Sequence, residues 1–215
     1  MNDNRSVQRC LALLRCFRRG PGQSLTELSK SVGLHHSTVL RLLSTLQSEG
    51  YVRKEGMQWS LTPQLLEIGF AALANTGVSD LIQSSLQGLA DQFSGSANIG
   101  EKIKDEVIII ARANSVSELR KILIVNLRVG SALPPESALY SALDLPEAEW
   151  SIAKYPDRKV TTVGISLFSG AVRSLSLGLS INDDEYYGDK IETELLPALR
   201  VKRDEIRRLM RLGDV

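Results

Sequence analysis

The segment SLTELSKSVGLHHSTVLRLLSTLQSEGYV, residues 24–52, limits what this chain can fold into more than any other stretch. Ser24 stands three residues before Glu27, which is the spacing of a capping box, and predicts the start of a helix. Gly33 predicts its end, because glycine tolerates the left-handed backbone that often follows a helix. A further helix is predicted from His36 to Ser48. Two short helices joined by a brief turn with glycine are typical of a helix-turn-helix motif.

The flanking segments extend this motif. A helix is predicted before it, over Arg5–Arg18, where apolar residues recur every three or four positions. After it, residues 51–61 predict two short strands around Glu55-Gly56, a hairpin that makes the motif a winged helix-turn-helix. Pro63 favours the first position of another helix, which Asn75-Thr76-Gly77 ends. We therefore expect a domain boundary near residue 77.

The helix predicted at 36–48 has one apolar and one polar face. Helical periodicity brings Val39, Leu42, Leu43 and Leu46 together, which predicts a core-facing side. The opposite side has no acid, several hydroxyls and one arginine. Ser and Thr bond phosphates or base edges, and Arg pairs with guanine in the major groove. The candidate DNA contacts on and beside this side are Ser37, Thr38, Arg41, Ser44 and Thr45.

Five residues around this helix have both a functional and a structural interpretation. His36 starts the helix beside His35, where it contacts the DNA backbone or has a plain structural role. A metal site there is disfavoured, because no other histidine exists in the chain. Ser37 is an N-cap, a DNA contact or both. Arg53 and Lys54 lie in the predicted wing, where they reach a groove or the backbone of DNA, or form a solvated edge strand.

Charge is distributed unevenly along the chain. Residues 1–62 hold nine Lys/Arg and four Asp/Glu, a net charge of +5, whereas residues 63–215 hold seventeen and twenty-one, a net charge of −4. A basic first part suits a polyanion such as DNA. Cys10 and Cys16 fit neither a disulfide framework nor a metal site, and suit a reducing compartment. No secretory signal or membrane-spanning apolar run is visible, so we expect a cytoplasmic protein with no membrane partner.

Residues 78–215 predict an antiparallel sheet with helices beside it, which gives the whole chain an α+β class. Strands are predicted at 97–102, 107–113 and 121–127, where VIIIA at 107–111 is too rich in β-branched residues for a helix, and a hairpin is predicted at 160–179 around Ser169-Gly170. Helices are predicted at 81–93, 137–143, 147–154 and 189–212.

Four segments carry a resemblance to a known family: SVQRCLALLRCF, SLTELSKSVGL, HHSTVLRLLSTLQSEGYV and WSLTPQLLEIG. In this order, from Ser6 to Gly69, they resemble the winged helix-turn-helix head of the IclR family of bacterial transcriptional regulators. The resemblance implies a DNA-binding domain at 1–62, a linker helix at 63–77 and a GAF-like effector-binding or oligomerisation domain at 78–215. It also implies double-stranded operator DNA as a partner, and self-association into dimers and often tetramers. Carried over by position, Ser37, Thr38 and Arg41 fall at the groove.

After Gly77 the resemblance is looser and the domain is shortened. In LRVGSALPPESALYSALDLP, Glu136 and Tyr140-Ser141 stand where the family has a His and a Gly-Lys pair. The family's longer stretch before the strand at 160–167 is reduced to residues 146–159, so part of the wall or lid of the small-molecule pocket is expected to be missing. The candidate effector-binding residues are Gly130, Ser131, Ala132, Ser166 and Ser176, each with an ordinary loop or sheet role as its alternative.

We therefore expect a sequence-specific DNA-binding transcriptional regulator of a catabolic operon that responds to a small organic acid. As a homodimer or tetramer it would bind a near-palindromic operator. One alternative is a regulator whose shortened C-terminal domain only forms oligomers. A protein-interaction module without DNA binding is disfavoured by the basic N-terminal part and the acid-free helix face. An enzyme is disfavoured because residues 78–215 contain neither His nor Cys, and no cofactor or metal is expected.

Overall fold

The computed structural model describes residues 3–20, 22–117, 127–183 and 189–212. The chain forms two compact units, Met1–Asn75 and Thr76–Val215, which we call the N-terminal and C-terminal units. Each unit combines helices with an antiparallel sheet, so the predicted α+β class with an N-terminal winged helix-turn-helix is confirmed. None of the helices in the described ranges has both the length and the apolar character needed to cross a bilayer.

The N-terminal unit places its helices around a small sheet. The helices are α1 (Arg5–Cys16), α2 (Leu25–Val32), α3 (His36–Ser48) and α4 (Gln64–Ala74), and the strands are β1 (Gln23–Ser24), β2 (Val52–Glu55) and β3 (Gln58–Leu61). The strands are antiparallel in the order β1-β3-β2. Strand β1 was not predicted, because two residues are too few for a periodic pattern to reveal. The predicted helices and the hairpin are confirmed within a few residues.

Local chemistry sets the turn between α2 and α3. The Ser24 hydroxyl accepts the Glu27 N–H and the Glu27 carboxylate accepts the Ser24 N–H, so the predicted capping box is formed. Gly33 follows α2 with φ +65°, the left-handed conformation that glycine favours. The buried side of α3 joins a small core, so its opposite side faces solvent. This core comprises Leu13, Phe17, Leu28, Val39, Leu43, Leu46, Val52 and Trp59.

The C-terminal unit is larger and built around a six-stranded sheet. Its strands are β4 (Ser96–Ile103), β5 (Glu106–Asn114), β6 (Ala132–Leu133), β7 (Ser151–Tyr155), β8 (Val160–Ser169) and β9 (Ser174–Asn182). Its helices are α5 (Asp80–Gln92), the short α6 (Ala138–Ser141) and α7 (Leu196–Leu209), which follows a π-helical turn at Ile191–Leu195. The strand order is β6-β5-β4-β9-β8-β7, and all pairs are antiparallel.

The two faces of this sheet differ in chemistry because side chains alternate along each strand. On β9, Leu175, Leu177 and Leu179 are buried in the main core with side chains of α5 and α7. The intervening positions, Ser176 and Gly178, belong to the second face, which carries small and polar residues. Helix α6 lies against that second face. The alternation therefore puts the hydrophobic core on one side of the sheet and leaves the other side for a cavity.

The helix predicted at 147–154 is wrong. Residues Ser151–Tyr155 form the edge strand β7, which pairs with β8. The buried Ser151 hydroxyl donates to the Gly164 carbonyl at 3.2 Å and to the Ala138 carbonyl at 2.5 Å. Because these partners come from distant segments, tertiary pairing outweighs the local helical preference.

Two other predictions have different outcomes. The hairpin predicted at 160–179 is confirmed as β8 and β9, which extend to Asn182. The strand predicted at 121–127 falls almost wholly on residues 121–126, which lie outside the described residues.

Candidate nucleic-acid interface and ligand cavity

Helix α3 presents a polar side to solvent. It has no acid in its first turn, and Arg41 makes no ion pair with any described residue. The guanidinium donors of Arg41 are therefore available to an external acceptor. Of the six predicted contacts on this helix, Thr38 is half-buried, and the exposed ones are His36, Ser37, Arg41, Ser44 and Thr45.

The start of α3 is capped by His35. Its Nδ1 accepts the Ser37 N–H at 3.3 Å and lies 2.8 Å from the Ser37 hydroxyl. The N-cap is therefore His35 and not Ser37, the alternative that the sequence left open. Because Nδ1 accepts the Ser37 N–H, Nε2 is the ring nitrogen that remains for another partner. The capped start of α3 holds Ser37 and Thr38 in the first turn.

Hydroxyls further along α3 already have partners within the helix. Thr45 Oγ1 donates to the Arg41 carbonyl at 3.1 Å, and Ser48 Oγ donates to the Thr45 carbonyl at 2.8 Å. Such bonds to the preceding turn use the hydroxyl proton and leave the oxygen as an acceptor. Arg41 is therefore the strongest donor on the exposed side.

The wing residues Arg53 and Lys54 are exposed on β2, an edge strand of the small sheet. Arg53 Nε lies 2.9 Å from Glu55 Oε1, with both side chains more than half exposed. Such a pair contributes little stability, so its arginine is readily released to another anion. Lys54 Nζ lies 5.7 Å from the centre of the Trp59 ring. Both cations can therefore serve as phosphate contacts.

A cavity of about 290 Å³ lies on the second face of the C-terminal sheet. Residues of β4, β5, β8 and β9 form its base, and β6, α6 and residues 155–160 form its sides. The volume is at the lower end of the range for small-molecule sites. Tyr155 and Arg158 of the shortened region line the cavity, so this region contributes to its wall, and the expected gap stays a prediction.

The base of the cavity is polar, and we call it the polar floor. It consists of Ser96, Asn98, Arg112, Thr162 and Ser180. Arg112 Nη1 donates to Asn98 Oδ1 at 2.6 Å, and its Nη2 donates to Ser96 Oγ at 3.2 Å. On the neighbouring strands, the hydroxyls of Thr162 and Ser180 lie 2.9 Å apart. The floor thus holds a fixed positive charge beside several groups that can both donate and accept.

Tyr155 lies at the edge of the cavity. Burial raises the pKa of its phenol above the ordinary value, while the charge of Arg158 acts in the opposite direction and that of Glu136 adds to the increase. At neutral pH the phenol therefore keeps its proton and can donate a hydrogen bond.

The predicted effector-binding residues are only partly brought together. Ala132 lines the cavity. Gly130, at φ +88°, donates its N–H to the Ile109 carbonyl, and the Ser131 carbonyl accepts the Ile109 N–H, so both hold β6 against β5. Ser166 and Ser176 are buried on the second face but do not line the cavity. Their role in effector binding stays a prediction.

Sequence reasoning missed the polar floor. Its members are single polar residues inside apolar strands, and the clearest signal is Arg112 within EVIIIARAN. A charged residue in such a strand requires a partner or a cavity. Periodicity cannot show, however, that Asn98 and Thr162 lie near it, because that depends on strand order and register.

Comparison with known proteins gives a consistent set of similarities. Residues 6–56 match the IclR helix-turn-helix domain. The Pca regulon regulatory protein of Pseudomonas putida is 32% identical over 130 residues, which cover 60% of this chain and 44% of that protein. The chain spans about half the length of the curated relatives it matches.

Solved structures extend the similarity to both units. An IclR family transcriptional regulator from Brucella abortus aligns with a TM-score of 0.80 at 19% identity, over 97% of this chain and 94% of that one. An IclR homologue from Microbacterium hydrocarbonoxydans, in complex with 4-hydroxybenzoate, aligns with a TM-score of 0.67 at 16% identity, over 97% and 100% of the two chains. At such identities the alignments show a shared fold.

Proposed function

We propose that this chain, a member of the IclR family, is a DNA-binding transcriptional regulator. It would control a catabolic operon in response to a small organic acid. The observation that carries this proposal is the exposed side of α3, which has an arginine and hydroxyls but no acid. A helix with this surface fits the major groove, where acids would repel phosphate. The relatives' names are those of regulators, which favours regulation over catalysis.

Each residue of the proposed interface has a distinct role. Arg41 would contact a base edge, and Ser37, Thr38, Ser44 and Thr45 would contact bases or phosphates along the groove. His36, Arg53 and Lys54 would contact the backbone on either side. In this scheme residues 1–62 bind DNA, residues 63–77 form a linker and residues 78–215 bind the effector.

In the proposed function, two copies of the protein associate and bind one operator together. Helix α4 has no buried residue among those described, and the side chains of Leu66, Ile68 and Phe70 are each more than half exposed. Exposed apolar surface of this kind favours contact with a second copy. A homodimer carries two α3 helices, so its operator would be a near-palindrome with half-sites about 34 Å apart or a multiple of that.

The effector would bind in the cavity of the C-terminal unit. Arg112 places a positive charge on the polar floor, where its Nη1 and Nη2 donate to Asn98 and Ser96, and this charge would attract a carboxylate. The homologue crystallised with 4-hydroxybenzoate bound a small carboxylic acid, which agrees with this choice of ligand class. An acid that prefers one arrangement of the DNA-binding units by about 1.4 kcal/mol would shift occupancy tenfold.

The experiment is fluorescence anisotropy of the purified protein with its own upstream DNA and a scrambled duplex at about 50–200 mM salt. We expect tighter binding to the upstream DNA and affinity that falls steeply with salt. The titration is then repeated with benzoate, 4-hydroxybenzoate and short-chain carboxylates. An acid that changes the DNA affinity supports the effector role.

Two other outcomes separate the rival functions. Salt-dependent, sequence-specific binding that no acid changes would favour a C-terminal unit that only forms oligomers. No binding to either duplex at low salt would contradict the proposal and favour a protein-interaction module.

A further inference from the structure

Helix α6 approaches the sheet unusually closely at three glycines on neighbouring strands. A Cβ at Gly178 would lie 2.4 Å from Leu139 Cδ1, and a Cβ at Gly164 would lie 2.6 Å from the Ala138 carbonyl oxygen. A Cβ at Gly100 would lie 2.3 Å from Val107 Cγ1 and 3.1 Å from Leu139 Cδ2, so both side chains cover this glycine. A side chain at Gly164 would therefore displace the backbone of α6, and one at Gly178 would displace the Leu139 side chain. The Leu139 side chain lies against Gly178 and Gly100, and the Ala138 carbonyl lies against Gly164.

Leu139 occupies the boundary of the cavity. It is 2% exposed and belongs to the cavity lining. On one side of it are the polar floor residues Asn98 and Ser180. On the other side, along the same face of β9, is Ser176, which does not line the cavity. The isobutyl group of Leu139 therefore separates two parts of one sheet face.

A buried hydroxyl lies directly behind Leu139. Ser176 Oγ and Leu139 Cδ2 lie within 3.3 Å and 3.1 Å of the same point, the position a Cβ at Gly100 would take. Ser176 is fully buried, and its Oγ has no hydrogen-bond partner among the described residues. Buried hydroxyls normally have a partner, and a missing one requires an explanation. Ser166, which pairs with Ser176 across β8 and β9, adds a second hydroxyl in the same place.

From this arrangement we infer that Leu139 sets the length of the effector that the cavity accepts. With Leu139 in place the cavity ends at this side chain. Without its side chain the cavity would extend over Gly178, beside Val107, to Ser176, whose hydroxyl would then meet the far end of a longer ligand. This inference rests on the proposed function, because it assumes that the cavity binds an acid at Arg112.

The test compares the wild-type protein, Leu139→Ala and Leu139→Met by calorimetric titration with straight-chain carboxylates from acetate to octanoate. Within a fitting cavity each added methylene raises affinity by about fourfold. We expect this increase to stop at a given chain length in the wild type and in Leu139→Met, which conserves volume. In Leu139→Ala, which removes about three carbon atoms, the increase should continue to acids that are longer by a similar number of carbons.

An identical length limit in wild type and Leu139→Ala would overturn the inference. Leu139→Val, which removes a single carbon, is measured alongside because Leu139→Ala leaves the larger void and the greater risk of unfolding. Circular dichroism establishes that each variant is folded before titration. In Leu139→Val the limit should move by about one carbon.

A second measurement does not depend on any ligand and separates the two proposals. Cys10 and Cys16 are replaced by serine, Ser176→Cys is introduced, and its reaction with methyl methanethiosulfonate is timed. We expect the thiol to react at least about tenfold faster in Leu139→Ala than with Leu139 present, because reactivity follows access. Equal rates would contradict the role of Leu139. A faster reaction in Leu139→Ala without any carboxylate binding would support Leu139 as the boundary of the cavity. The same result would contradict the proposal that the cavity binds a carboxylic acid.

Discussion

The two units differ in how the sequence builds a candidate site. In the N-terminal unit, most of the interface lies on the thirteen residues of α3, and helical periodicity alone determines which of them face solvent. In the C-terminal unit, the polar floor takes five residues from four strands between Ser96 and Ser180. The first site is local in sequence, and the second depends on strand order and register.

This difference has consequences for robustness. The N-terminal unit has a small core, and its surface site needs only that α3 stays folded and capped. The C-terminal unit has a larger core, but its cavity depends on α6 and the sheet keeping their close contact. The following variants test whether DNA binding and carboxylate binding can be lost independently of each other.

The largest effect is expected from the core of the N-terminal unit. Leu43→Ala should cost about 2–5 kcal/mol, because Leu43 is fully buried. Small units have little stability in reserve, so DNA binding should be lost while carboxylate binding persists. Leu177→Ala, in the core of the other unit, should have the opposite pattern. Thermal unfolding by circular dichroism with both binding assays checks this, and loss of both activities in each variant would show that the units do not fold separately.

The polar floor comes next. Arg112→Gln should weaken binding of an acid effector by about 1.5–3 kcal/mol, roughly ten- to a hundredfold or more, because it removes a charged donor. Calorimetric titration with benzoate and 4-hydroxybenzoate measures the loss. Arg158→Gln, at the side of the cavity, is the matched control and should lose less. Unchanged affinity in Arg112→Gln would remove the polar floor from the effector site.

Arg41→Ala tests the α3 surface. If Arg41 contacts guanine, affinity should fall by about 1–3 kcal/mol and specificity should relax at a single base position. Anisotropy with operators mutated one base pair at a time measures this. A uniform loss across sequences would instead make Arg41 a phosphate contact. Lys154→Ala, an exposed cation of the C-terminal unit, should leave DNA affinity unchanged.

Removal of a helix cap should weaken DNA binding only where the cap lies at the DNA-binding interface. His35→Ala removes the acceptor for the Ser37 N–H and should cost about 1 kcal/mol of stability, whereas His35→Asn restores a capping acceptor. Ser79→Ala removes the cap of α5 and should cost a similar amount. Chemical denaturation measures both costs. Only His35→Ala should also weaken DNA binding, and an equal effect of Ser79→Ala on DNA would contradict the local character of the first site.

The smallest effect is expected from a fall in pH, which protonates carboxylates that are paired in the folded protein. Hydrogen bonds from Ser24 lower the pKa of Glu27, and those from Arg207 and Lys202 lower the pKa of Glu147 and Glu205 respectively. Their folded pKa values lie below the unfolded one, so these carboxylates stabilise the fold above about pH 4.3, and this contribution is lost as pH falls further.

Thermal unfolding between about pH 3 and 7 should therefore show a declining melting temperature below pH 4–5. Glu147→Gln should flatten only the part of this decline that belongs to the C-terminal unit. Its side chain is well exposed, so the change should be slight. A decline as steep as in the wild type would mean that the Glu147 pairing does not stabilise the fold.

The sequence by itself determined the N-terminal unit almost completely. The capping box, Gly33 and the apolar periodicity of α3 act between near neighbours, so their spacing specifies both the fold and the exposed side. It also indicated the hairpin at 160–179, where two largely apolar runs flank the turn at Ser169-Gly170.

Only the tertiary structure decided the rest. Residues 151–155 became a strand because β8 offered an edge, although their own preference predicted a helix. Arg112 met Asn98 because β4 pairs with β5 in one particular register, and Leu139 reached the sheet because glycines stand on three strands. Such contacts join residues far apart in sequence, and their energies depend on a geometry that no local pattern encodes.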